Sequence, residues 1–261
     1  MLKLEDIEIH KEKILNDKEL IVYKPIGMTP KELVDIIIIK TGAEKGCFIG
    51  RLDPIAFGAQ QILLNEKCKL AKNMYQHNKT YRFKIIFGLE TTSLDLLGEP
   101  IISSHNMINI VKIIEILENF KKNYVQQLPI FSSYRVSNNH GLVNPLWWWA
   151  KNKRITEIEI PKIKKELYEY SIGKLDTITC EKLKTVAIDR IDSIKRVHDF
   201  NQDFLIHKWQ NLEHVNNELF PILEINVKVS AGFYIRQLVE DIGKYLDVKT
   251  TTFEIERLTY N

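Results

Sequence analysis

Apolar and polar positions change period several times along the chain, and each change marks an element. Leu223, Ile225, Val227 and Val229 alternate with Glu224, Asn226 and Lys228. Successive side chains of a strand point to opposite faces, so this run predicts a strand with one wet face. Ser230-Ala231-Gly232 breaks it. Ile235, Leu238, Val239, Ile242 and Leu246 then fall on one face of a helix. Near the N-terminus, Thr29-Pro30-Lys31-Glu32 reads as a helix start, with Thr29 as N-cap, Pro30 as first helical residue and Glu32 completing a capping box. That helix runs through the isoleucines and stops near Gly42. Tyr81 to Phe87 is β-prone and Gly88 ends it. Met107 to Phe120 has helical spacing. In Gly50-Arg51-Leu52-Asp53-Pro54 the proline disfavours helix at Asp53, which predicts loop or extended chain. Strands and helices intermix, so the expected class is α+β with mostly antiparallel pairing. There is no internal repeat and no Pro/Gly/Ser-rich linker, so residues 1–261 are expected to form one domain.

Composition narrows the function classes. With 261 residues, 44% of them hydrophobic, wholesale disorder is excluded. Apolar runs such as Ile36 to Ile39 are far too short to span a bilayer, and the N-terminus has no charged-then-apolar leader. No membrane partner is therefore expected. Cys47, Cys68 and Cys180 are odd in number and widely spaced, which fits a reducing compartment such as the cytoplasm. Seven histidines without HxxxH or HExxH spacing give no metal site.

The net charge of +3 conceals a local excess. Lys121, Lys122, Arg135, Lys151, Lys153 and Arg154 lie in a 34-residue segment without Asp or Glu, so it carries +6 and the remainder −3. The same segment holds Tyr124, Phe131, Tyr134, Trp147, Trp148 and Trp149. Cations meet phosphates and rings stack on exposed bases, so this mixture suits RNA. On a helix, successive residues point about 100° apart, so three adjacent tryptophans do not share one core. At least one ring is expected to be exposed.

Asp53 or Arg236 alone says little, since an Asp-Pro in a loop is usually a turn or a cap. The ordered blocks around them say more. Lys24-Pro25-Ile26-Gly27-Met28-Thr29 is followed by Gly50-Arg51-Leu52-Asp53-Pro54, with Ala56 and Gly58. Lys79-Thr80-Tyr81 leads to Gly88, Thr91, Ser93, Asp95 and Gly98. Gln126, Pro129, Phe131, Ser132 and Arg135 precede Ser230 to Arg236 with Leu238, Asp241, Gly243 and Leu246. Five blocks in this order over residues 23–246 resemble the TruB family of RNA pseudouridine synthases, which modify a uridine of the tRNA T-arm.

The resemblance implies the pseudouridine synthase fold: a central, largely antiparallel mixed sheet crossed by the catalytic cleft, with a thumb over the RNA at about residues 121–160. It implies Asp53 as the catalytic aspartate, Tyr81 stacked on the flipped uracil and Arg236 paired with the aspartate. Lys24, Phe48, Arg51, Arg135, Trp147, Trp148, Lys151 and Tyr234 are the expected substrate contacts, Lys24 by shaping the pocket. The reaction exchanges an N1–C1′ bond for a C5–C1′ bond without redox, so no cofactor is expected. It needs an ionised carboxylate beside the sugar, which attacks C1′, takes the C2′ proton or adds to the base; the sequence does not separate these routes. A buried carboxylate stays charged only near an opposite charge, and Arg236→Ala is expected to leave folding mostly intact while lowering the rate.

Three departures bear on substrate range. Phe48 stands where the family usually has histidine, Arg135 replaces a lysine and Phe233 a threonine. Residues 185–219 look longer than the family core. No room is seen for a C-terminal RNA-binding PUA-type domain, and a monomer acting on the T-arm stem-loop is expected. Alternative readings are an inactive RNA-binding or tRNA-folding module, for which the trio Asp53, Tyr81 and Arg236 is superfluous, and an RluA-type synthase, whose R-L-D motif Arg51-Leu52-Asp53 also resembles.

Overall fold

A computed structural model describes residues 1–103, 108–198, 200–213 and 219–260. Met107, Asp199 and part of the 185–219 segment therefore lie outside the described residues. The strands are β1 (Glu19–Lys24), β2 (Gly46–Ile49), β3 (Phe57–Leu64), β4 (Lys79–Phe87), β5 (Leu89–Thr91), β6 (Pro100–Ile102), β7 (Tyr124–Gln127), β8 (Arg135–Ser137), β9 (Val143–Pro145), β10 (Lys162–Lys165), β11 (Leu167–Thr179), β12 (Leu219–Val229) and β13 (Thr250–Tyr260). The α-helices are α1 (Lys11–Asp17), α2 (Pro30–Thr41), α3 (Ala71–Met74), α4 (Ile110–Lys122), α5 (Leu146–Lys151), α6 (Cys180–Asp192), α7 (Gln202–Gln210) and α8 (Ile235–Leu246).

The main sheet runs β1-β3-β13-β4-β12-β11, with β2 also on β3. Every pair in it is antiparallel except the short parallel contact of β13 with β3, Glu256 opposite Phe57 and Arg257 opposite Gly58. Gly58 makes that contact possible. Its φ is +103°, and a Cβ there would strike the Arg257 backbone. The mixed, mostly antiparallel α+β expectation holds.

Local signals placed α2 well. Glu32 N donates to Thr29 Oγ1 at 3.2 Å and Thr29 N donates to Glu32 Oε2 at 2.8 Å, closing the capping box. Gly42 ends the helix at φ +74°. α4 starts later than its apolar spacing implied, because Asn109 caps it by accepting from Lys112 N. Its last turn includes Lys121 and Lys122.

The sheet buries apolar side chains against three helical layers. α4 and α8 cover Tyr81, Phe83, Ile225 and Val227; Ile235, Leu238, Val239 and Ile242 of α8 are buried there. α6 and α7 cover Ile86, Phe220 and Ile222, with Trp209 fully buried. α1 and α2 cover Val22 and Ile62. The 185–219 segment thus supplies much of a core layer. It also braces its neighbours: Lys195 pairs with Glu32 in the first turn of α2 at 3.0 Å, and Arg190 pairs with Glu254 on β13 at 3.1 Å.

Candidate active site

The loop between β2 and β3 carries Asp53. Gln60 is fully buried beneath it and donates to the carbonyls of Ile49, at 2.9 Å, and Gly50, at 3.1 Å. Arg257 on β13 donates to the Gly50 carbonyl at 3.1 Å, to Ala59 O at 2.6 Å and to Gln60 Oε1 at 2.8 Å. Lys24 lies underneath. Its ammonium donates to the carbonyls of Pro25 (2.9 Å), Met28 (2.6 Å) and Pro54 (3.2 Å), tying the turn before α2 to the residue after Asp53. The residue is 0% exposed, and burial pulls its pKa down to about 7. Lys24 is therefore a clamp under the loop with no surface of its own, so any part it has in the site is in shaping the pocket from beneath.

Arg236 is the hub of the site. Tyr234 caps α8 and Arg236 sits in its first turn, 4% exposed. Its Nε lies 2.8 Å from Asp53 Oδ2 and 3.6 Å from Asp95 Oδ2. Its other nitrogens donate to Ser93 O at 2.8 Å and Phe131 O at 3.0 Å. Burial opposes the guanidinium charge, but Asp53 and then Asp95 more than offset it, and the pKa rises. Asp95 accepts from Ser93 Oγ at 2.5 Å and from Leu97 N at 3.0 Å. Burial raises its pKa against the pull of Arg236. Arg236 thus joins the Asp53 loop, a buried second carboxylate and the start of the excursion expected to be the thumb. Arg236→Ala would remove the partner shared by two carboxylates, which sets this geometry against the expectation that it leaves folding mostly intact.

A cleft of about 380 Å³ opens over Asp53, lined among others by Phe48, Arg51, Tyr81, Tyr234 and Arg236. Tyr81 on β4 is 7% exposed and faces both the α8 core and this cleft. Phe48 on β2 is half-buried with the Arg51 guanidinium over its ring at 5.7 Å. Arg51 in turn donates to Ser133 Oγ at 2.8 Å, joining the cleft rim to the thumb. Six of the expected residues thus meet at one cleft.

Arg135, Trp147, Trp148 and Lys151 lie on the thumb outside it. The thumb leaves the body after β7, which pairs antiparallel with β10. Leu128 N donates to Pro161 O at 3.0 Å, closing its base. Gln126 is fully buried and binds the Tyr234 backbone twice, Nε2 donating to Tyr234 O and Oε1 accepting from Tyr234 N, both at 2.9 Å. The three tryptophans separate as their helical spacing requires: Trp147 is exposed, Trp148 half-buried and Trp149 fully buried. The positive segment separates as well. Lys121 and Lys122 belong to α4, and Arg154 pairs with Glu157 at 2.6 Å beneath Trp148 and Trp149. Arg135, Lys151 and Lys153 remain as the exposed cations of the excursion.

Asp95, Gln126, Lys79 and Arg257 are site residues to which sequence patterns assign no role. Asp95, Gln126 and Lys79 stand inside family motifs, but nothing local marks their burial. Among the described residues no helix is long and apolar enough to cross a membrane.

Residues 39–189, more than half of the chain, match the family model described as TruB family pseudouridylate synthase (N terminal domain). The tRNA pseudouridine synthase B of Caldanaerobacter subterraneus subsp. tengcongensis is 30% identical over 233 residues, covering 89% of this chain and 65% of that protein. Its counterpart in Aquifex aeolicus is 25% identical over 242 residues, covering 93% and 68%. This chain therefore spans about two thirds of the length of these relatives. A chain of the solved structure "Crystal Structure of a Cbf5-Nop10-Gar1 Complex" superposes with a TM-score of 0.55 at 18% identity, over 97% of this chain and 50% of that one, and so shares the fold. The fold is that of the pseudouridine synthases, and the chain belongs to the TruB family.

Proposed function

We propose that this chain isomerises a uridine of RNA to pseudouridine, that the RNA is tRNA and that the uridine lies in the T-arm stem-loop. The observation that carries this reading is the Asp53 carboxylate, 2.8 Å from a buried arginine at the floor of a cleft walled by Tyr81. The relatives named tRNA pseudouridine synthase B support the choice of substrate.

The reaction breaks N1–C1′, turns the uracil and joins C5 to C1′; the proton on C5 leaves and N1 gains one. No atom is added and no electron pair leaves the substrate. Attack on C1′, removal of the C2′ proton and addition to the base all call for the same carboxylate at the sugar. Asp53 supplies it, and Arg236 holds it in place. A uridine inside a folded loop reaches the cleft only by flipping out of its stack, at a cost of a few kcal/mol. Stacking on Tyr81 recovers about 1–3 kcal/mol of that. Phe48, Arg51 and Tyr234 line the cleft around the flipped nucleotide, while Arg135, Trp147, Trp148 and Lys151 present the thumb to the arm. The chain works as a monomer in the cytoplasm, one catalytic domain with a thumb.

Tritium release from C5-labelled uridine in tRNA transcripts tests the reading. Release by the wild type and none by Asp53→Asn is the expected result. RNA binding without release from any transcript would establish an RNA-binding module instead.

A further inference from the structure

The cleft has two electrically different ends. At one, Arg236 faces two carboxylates. At the other, Lys79 of β4 and Arg257 of β13 line the wall, 4% and 1% exposed. They converge on Gly50, three residues before Asp53. A Cβ on Gly50 would lie 3.0 Å from Lys79 Cε and 3.3 Å from an Arg257 terminal nitrogen. Among the described residues, neither cation pairs with a carboxylate. Arg257 donates to neutral oxygens of Ala59, Gly50 and Gln60, and Lys79 Nζ donates to His77 O at 2.7 Å. A third cation, Lys165, stands beside cleft-lining Gly232 and donates to Ala231 O at 2.9 Å.

Placing two buried cations side by side without an anion is unfavourable, and burial together with the charges of Arg257 and Lys165 pulls the Lys79 pKa down to about 8. A negative ligand would remove the repulsion. The ligand must be anionic beside the reacting sugar and uncharged where it meets Asp53, and a nucleotide within an RNA chain has this pattern.

We propose that Lys79, with Arg257 behind it, binds a backbone phosphodiester flanking the flipped nucleotide. This rests on the RNA-modifying reading above. The ammonium keeps its bond to His77 O and offers its remaining protons to a phosphate oxygen. Arg257 stays on its carbonyls and adds charge from the second row. The contact would fix the sugar over Asp53, making Lys79 a positioning residue for the glycosidic bond.

The test is a cycle between protein and RNA. T-arm stem-loops are made with a neutral methylphosphonate at the phosphate 5′ or 3′ of the target uridine, one at a time. The dissociation constant and single-turnover tritium release are measured for the wild type, Lys79→Met and Lys79→Arg. At one of the two positions, the methylphosphonate should cost the wild type about tenfold in affinity or rate. Lys79→Met should lose about as much on the ordinary RNA, lose nothing further on the neutral linkage, and be largely rescued in Lys79→Arg. Losses that multiply at both positions would overturn the subsite, because they would mean that Lys79 only shapes the wall. Coupling in the dissociation constant without tritium release from any RNA would support the subsite and overturn pseudouridylation, so the two failures are distinct.

Discussion

The cleft floor and the thumb are both rich in cations and aromatic rings, yet they hold them in opposite ways. On the floor Lys24, Lys79, Arg236 and Arg257 are all buried; Lys24, Arg236 and Arg257 are fixed by carbonyls or carboxylates from distant segments, and Lys79 by the carbonyl of nearby His77. On the thumb Arg135, Lys151 and Lys153 are exposed, and the ring of Trp147 stands in solvent. A buried charge acts in a low dielectric and in one geometry, which suits chemistry at a single atom. An exposed charge is screened and mobile, which suits a backbone that arrives in many orientations. These regions are joined by Arg51 donating to Ser133 Oγ and Arg236 donating to Phe131 O, and, at the base of the thumb, by Gln126 bound to the Tyr234 backbone.

Substitutions can break this contrast in order of effect. Arg236→Ala should do most. It removes the partner of Asp53 and Asp95 together, and breaking a buried pair costs about 3–5 kcal/mol. Urea unfolding should show that loss alongside a collapse of single-turnover rate. A fully stable variant would mean that the two carboxylates do not depend on Arg236.

The tryptophans sharpen the contrast within the thumb itself. Trp149 is fully buried, with Nε1 donating to Asn144 O at 3.2 Å. Trp149→Ala should therefore disorder the thumb, at about 3–5 kcal/mol for a buried aromatic. Trp147→Ala should leave the melting temperature alone and weaken RNA binding by about 1–3 kcal/mol, the value of one stacked base. Equal effects on stability from the two would erase the distinction.

Lys24 gives the floor a pH signature. Its pKa falls from 10.5 in the open chain to about 7 when folded. Between these values the unfolded state binds the extra proton, so stability rises with pH from about 7 to 10.5. Lys79, lowered to about 8, contributes in the same sense over a narrower window. Melting temperatures should climb between pH 7 and 9, and the climb should be shallower in Lys24→Met. The thumb should show salt dependence in its place. Lys153→Gln should flatten the slope of log affinity against log salt by about 0.7–0.9, and an unchanged slope would place Lys153 off the RNA.

Elements set by near neighbours are legible in the order of residues alone. The Thr29–Glu32 capping box, the alternation over Leu223–Val229 and the α8 stripe each depend on contacts a few residues apart, so local spacing contains them. Asp53, Tyr81 and Arg236 are legible only as motifs in order, because no periodicity relates an aspartate to an arginine 183 residues later. Tertiary structure alone decides the state of the cations. Lys24 stands in a family motif, but its sequence neighbours do not show that it is wholly buried, since the carbonyls that hold it come partly from Pro54. The run of +6 reads as continuous and divides among the end of α4, an ion pair, an exposed hairpin and the exposed end of α5. Sequence determined which charges the chain carries and which helices and strands bear them. Whether a charge is buried and paired or left to meet RNA depends on which remote segments the fold packs beside it.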